Sequence, residues 1–227
     1  MNTRSAVIFT LLTAIAIVFA AQWAVAADVE LKLDLPKPMF VGTPKNIVSD
    51  NLDPDTGKKR PAFIVPEGLT NLAAGKPVSA SDEEPIIGEL EMITDADKEG
   101  ADGSFVEFGP GVQWVQIDLG SPQEIFAVVA WHYHSQARLY RDVIARVSDD
   151  KDFIKYTEIF NNDHDNTAKL GIGKNFDYIE TNEGKLIDAK VKGLPAKGRY
   201  VRLYSNGNTS NDMNHMIEVE VWGRPAK

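Results

Sequence analysis

From Thr70 onward, apolar residues come in short runs that alternate with polar ones and are cut by Gly, Asp, Asn or Pro. Period-two alternation sends successive side chains to opposite faces of an extended ribbon, so such a chain builds sheets. In Trp114 to Leu119, Val115, Ile117 and Leu119 share one face while Trp114, Gln116 and Asp118 share the other, and Gly120-Ser121-Pro122 ends the run. Ile125 to Trp131 is nearly all apolar, as a strand covered on both sides would be. Val143, Ala145 and Val147 alternate with Asp142, Ile144 and Arg146, and Tyr200 to Tyr204 and Ile217 to Trp222 repeat the pattern. No stretch carries a sustained helical stripe with caps. The expected fold is all-β, an antiparallel β-sandwich of two sheets, with no internal repeat or low-complexity tract.

What holds such a sandwich is limited by what the chain lacks. Its 227 residues contain no cysteine, which excludes disulfides, thiolate metal sites and cysteine nucleophiles. Packing, hydrogen bonds or an oxygen-ligated metal must do the work. The 33 acidic residues against 24 Lys and Arg leave a formal charge of -9, so no basic field draws nucleic acid or anionic lipid.

Residues 1–26 read as a signal peptide. Arg4 stands in an acid-free start, Val7 to Ala20 is apolar apart from Thr10 and Thr13, and Ala24-Val25-Ala26 precedes the cut. The apolar run is shorter than the roughly 20 residues that cross a bilayer, so the mature chain is expected to be secreted, extracellular or periplasmic, without a transmembrane segment. Residues 27–69 hold 6 of the 12 prolines and read as an extended leader. Met39, Phe40, Val41, Ile47, Phe63, Ile64 and Val65 within it call for partial docking on the domain.

The remainder resembles a known family. NLAAGKPVSAS (Asn71 to Ser81), ITDAD (Ile93 to Asp97), WVQIDLGSPQEI (Trp114 to Ile125), RDVIARVSDD (Arg141 to Asp150), RYVRLYSNGNT (Arg199 to Thr209) and IEVEVWG (Ile217 to Gly223) occur in the order seen in the discoidin, or coagulation factor five/eight type C, domain. The similarity spans residues 70–224. It implies a galactose-binding-like jelly roll that binds carbohydrate or another surface ligand through loops at one end, in a family that is chiefly a binding module. Two stretches depart from it. Ser81 to Ile93 lies in a region where the family's loops vary, and Phe153 to Lys197 is longer and more polar than a minimal member requires.

Asp95, Asp97, Glu99 and Asp102 crowd one loop, where mutual repulsion calls for a cation or for solvent; oxygen-only ligands select a hard ion, calcium outside the cell. The resemblance implies a structural Ca2+ held by Asp95, Asp97 and Glu218, with a solvated acidic turn as the alternative. Trp131-His132-Tyr133-His134 ends a buried strand, and if the strand frays there both imidazoles reach solvent. Sugars are recognised by flat rings and planar donors and acceptors, which His132, His134, Arg138, Tyr140, Asn161, Asn162, His164, Asn206, Asn208 and Asn211 supply. Asn-rich loops also make turns on their own account. A transition-metal site from His132, His134, His164 and His215 with Asp163 is a remoter reading.

No G-x-S-x-G, H-E-x-x-H or complete phosphate loop is present. The expectation is a non-catalytic module for carbohydrate or glycoconjugate, binding no nucleic acid. One rival is an adhesion module of the same fold for protein or lipid surfaces, using Ile86, Ile87, Met213 and Met216, so a protein partner stays open. Another is a small glycoside hydrolase with paired carboxylates.

Overall fold

The structure is a computed structural model that describes residues 27–226. The expected signal peptide, residues 1–26, lies outside the described residues. Thirteen strands follow in order: β1 Asp28–Glu30, β2 Ile64–Pro66, β3 Thr70–Asn71, β4 Val78–Ala80, β5 Val106–Phe108, β6 Gln113–Trp131, β7 Ile144–Ser148, β8 Thr157–Asn161, β9 Lys185–Asp188, β10 Lys190–Val191, β11 Leu194–Ser205, β12 Asn214–Met216 and β13 Glu218–Pro225. The described residues contain no α-helix; one 3-10 turn covers Leu90–Thr94.

All strand pairings are antiparallel, and β6 organises them. Its first half lies between β4 and β11, with β7 and β8 continuing outward. Its second half lies between β13 and β9, with β3 on the far side of β13. The two halves serve two layers, joined where residues 119–122 stand opposite Arg199 alone. A strand that changes sheet through a bulge is a standard corner of a β-sandwich. Gly120-Ser121-Pro122 does not end the strand, as the sequence reading had it. Gly120 takes the bend at φ +87 and the three residues face solvent, while pairing with β11 resumes at Gln123.

Between the layers lies one core that includes Val115, Ile117, Val128, Ala130, Val201, Leu203, Val219 and Val221. Both outer faces are also partly covered. Val129, Trp131 and Ile217 point away from the core and pack with Leu33, Leu186 and Trp222. That second cover explains the unbroken apolar run from Ile125 to Trp131. On the other layer, Ile144 and Tyr204 pack with Ala168, Leu170 and Trp114. Arg146, expected on an outward face, is only 4% exposed. The excursion after β8 folds back over it, and Nη2 of Arg146 donates to Leu170 O at 2.6 Å and to Glu158 Oε2 at 3.0 Å.

The leader is tied down at several points. β1 pairs β2, and Leu31 N donates to Phe63 O at 2.8 Å. Asn182 Nδ2 donates to Pro36 O at 2.8 Å, Asp53 N to Asp177 O at 2.9 Å, and the Ser49 hydroxyl to the Asp177 carboxylate. Arg60 Nη1 donates to the carbonyls of Glu183 and Gly184. The leader therefore runs along the 175–186 segment and forms one wall of a groove with it.

Candidate functional site

β6 leaves its ladder at Trp131, and just beyond it Tyr133, Arg138 and Tyr140 come together in a corner with Phe105 and His215. β12 pairs β5 with His215 opposite Glu107. This register sets His215 Nε2 2.9 Å from Glu107 Oε2 and Nδ1 2.9 Å from the Tyr140 hydroxyl. A carboxylate only accepts, so Nε2–H of His215 donates to it and the bare Nδ1 accepts from Tyr140. Burial, with Arg138 and His132 nearby, pushes the His215 pKa down to about 4. Its contact with Glu107 pulls upward, but at 4% exposure desolvation governs and the ring is neutral.

Behind this relay His132 stacks on Tyr140, with centroids 4.4 Å apart and planes 23° apart. His132 Nδ1 donates to Glu180 Oε2 at 3.0 Å. His132 Nε2, Glu180 Oε1 and Arg138 Nε are buried without a partner. Both His132 and His134 are fully buried although the strand has ended, so neither imidazole reaches solvent as fraying would have allowed. His134 Nε2 lies 2.9 Å from Lys98 O, under the loop that passes over it at Gly100.

The accessible surface of the corner is aromatic and polar. Phe105 and Tyr133, each half-buried, meet edge to face with centroids 5.0 Å apart. Beneath them the Arg138 guanidinium, itself buried, sits 4.6 Å over the Tyr133 ring, and its Nη2 donates at 3.3 Å to Oε1 of Gln136, whose side chain is exposed. Phe105, Glu107, Tyr133 and Gln136 escaped the sequence reading. Period-two alternation along Trp131 to His134 sets Tyr133 on the face opposite the two histidines, which was the available signal.

The other candidates fall elsewhere. Asn161 Nδ2 donates to Gly171 O at 3.1 Å, and Asn162 Oδ1 accepts from Val143 N at 2.6 Å, so both buried amides brace the excursion after β8. Asn206 Nδ2 donates to Asp142 Oδ2 at 2.7 Å, and His164 is exposed. Asn208 is fully buried and bonds Asn211 Oδ1, Met213 O, Ser210 N and Asn211 N, closing a turn beside Tyr140. Thus His132, Arg138 and Tyr140 gather at the corner, Asn208 and Asn211 form its flank, and Asn161, Asn162, His164 and Asn206 belong to a separate region.

The four histidines do not converge with Asp163. Among the described residues, the acidic or imidazole groups that come together in threes are the carboxylates of Asp142, Asp163 and Asp165. Asp163 is held above its usual pKa by burial and by Asp142. In the acidic loop, Asp95 Oδ1 accepts from Asp97 N and Asp97 Oδ1 from Glu99 N. Glu218, fully buried, accepts from Ala96 N at 3.1 Å through Oε2, whereas its Oε1 has no partner. Burial, then Glu220 and Asp95, pushes its pKa up to about 8.

Comparison with known proteins places this geometry in a fold. No protein-family profile matches the chain. No curated protein matches it either. Solved structures do. The chain is similar to a family 89 glycoside hydrolase from Clostridium perfringens in complex with 2-acetamido-1,2-dideoxynojirmycin, at 16% identity and TM-score 0.50 over 69% of this chain and 15% of that one. It is similar to the CBM32 of AlyQ in complex with 4,5-unsaturated mannuronic acid, at 20% identity and TM-score 0.43 over 64% of this chain and 92% of that one. A third is chitosan-binding module 1 from a chitosanase/glucanase of Paenibacillus sp. IK-5, at 19% identity and TM-score 0.44 over 68% and 99%. At such identities the likeness concerns the fold. This chain is an antiparallel β-sandwich.

Proposed function

We propose that the chain is a secreted, non-catalytic carbohydrate-binding module of the discoidin-like class whose ligand site is the corner around Tyr133. The observation that carries this reading is the pairing of two half-buried rings, Phe105 and Tyr133, with the Arg138 guanidinium and the Gln136 amide. Aromatic surface takes the C–H faces of a pyranose, and the exposed Gln136 amide, held from below by the buried Arg138, takes its hydroxyls. The relay behind them, from Glu107 through His215 to Tyr140, fixes the His215 ring on which both rings pack. The occurrence of a similar sandwich within a glycoside hydrolase chain supports a role beside glycans. The adhesion alternative has less behind it: Ile86 and Ile87 are exposed, but Met216 is buried at 4%.

The same reading includes a structural Ca2+ at the acidic loop. The unpartnered, buried Oε1 of Glu218 beside Asp95 fits a hard cation, with carbonyls of the loop completing the set. Asp97, exposed and bonded to Glu99 N, would support from outside.

Calorimetric titration of Tyr133→Ala against the wild-type chain tests the site. Glycan affinity should drop at least about tenfold while the melting temperature moves by less than about 2 °C. Undiminished affinity in this variant would place the site elsewhere.

A further inference from the structure

The groove between the leader and the 178–186 segment has a volume of about 920 Å3. Its charges are unusual for an acidic chain. Lys58, Lys59, Arg60 and Lys185 line it against Asp53, Asp55 and Glu183. Asp55 is taken by Lys58, and Glu183 Oε2 lies 3.5 Å from Arg60 Nε. Asp53 receives Asp55 N on Oδ1 and reaches Lys185 only at a distance, beyond ion-pair contact.

Lys185 is the centre of the argument. Its ammonium lies 4.8 Å from the Tyr178 ring centroid and 5.2 Å from that of Phe160, and among the described residues it meets no carboxylate within 4.0 Å and no hydrogen-bond acceptor. Half-buried, and held below its usual pKa mainly by desolvation, it is a cation with no ion-pair partner, Asp53 and Glu180 acting on it only at a distance. Glu180, the other nearby acid, is turned to His132 through Oε2 and makes no ion pair with the ammonium. Lys59 is exposed on the rim and likewise unpaired among the described residues. Phe63 lies on the opposite wall, with the Lys190 ammonium 4.7 Å over its ring. Burying a cation is costly unless an anion meets it.

We propose that this groove binds the acidic groups of a glycan, carboxylate or sulfate ester, with Lys185 and Lys59 as the anion contacts. The inference rests on the carbohydrate reading and deepens it, but the groove is built by the leader and is separate from the Tyr133 corner. The test is affinity electrophoresis of the full chain in gels containing polygalacturonate, dextran sulfate or neutral dextran. Retardation by polygalacturonate identifies a uronate, and by dextran sulfate a sulfate ester. Lys185→Gln should weaken that retardation at least tenfold and the exposed Lys59→Gln about threefold. Lys192→Gln, outside the groove, should leave it unchanged. Should Lys185→Gln fail to fold, Lys59→Gln still decides. Equal retardation of wild type and Lys59→Gln, or none by either anionic polymer, overturns the inference. Retention by a neutral glycan alone would leave the carbohydrate reading standing without it, and silence toward every glycan would remove both.

Discussion

At the scale of single residues, His215 shows how a buried polar group shapes stability. Its neutral ring accepts from Tyr140 and donates to Glu107, with Arg138 and His132 as its other charged or titratable neighbours. The unfolded chain protonates this imidazole near 6.5, the folded one only near 4, so the unfolded state binds more protons between those values. The contribution is fully present above pH 6.5 and is lost as pH falls toward 4, by about 2 kcal/mol after allowance for Glu107. Urea unfolding at pH 7.5 and 4.5 checks this: His215→Gln should flatten the wild-type loss by that amount, and an unchanged pH dependence would count against it. Such detail was hidden in the sequence. His132 and His134 were legible as strand-end residues, yet their burial depends on Glu180 and Lys98, 48 and 36 residues away.

Elements were more legible, because alternation is a local signal. Val115, Ile117 and Leu119 face the core as their spacing requires. Continuity of β6 past Pro122 was not legible, since it is set by pairing with β11 and β13 on either side. Nor was the burial of Arg146, which follows from a distant loop folding back. Gly184 illustrates a connection fixed by close approach: it holds φ +62, and a Cβ there would stand 2.7 Å from the Trp131 ring. Gly184→Ala should therefore cost at least about 2 kcal/mol. The melting temperature should fall by roughly 4–8 °C, and a neutral result would mean that the loop yields easily. The acidic loop makes a second case. Chelation should lower the melting point and Ca2+ restore it, with the response abolished in Glu218→Gln, because a ligand of the folded form stabilises by mass action. Identical melting with and without chelator would remove the ion.

For the whole molecule, the sandwich supplies the frame, and both proposed sites lie in what is laid against it. The corner at Tyr133 comes from loops joining the two layers, and the groove at Lys185 from a leader outside the repeating strand pattern. The sequence showed the frame through period-two runs and the leader through its prolines. It could not show that the candidate amides divide between two regions, since loops carry no periodicity. The central claim is that this surface recognises saccharide without transforming it. A glycan array probed with the full chain, followed by mass spectrometry of the eluted saccharide, tests it most directly. The account predicts dose-dependent binding to one class of sugar that returns with its mass unchanged; silence across the array, or a cleaved product, would contradict it.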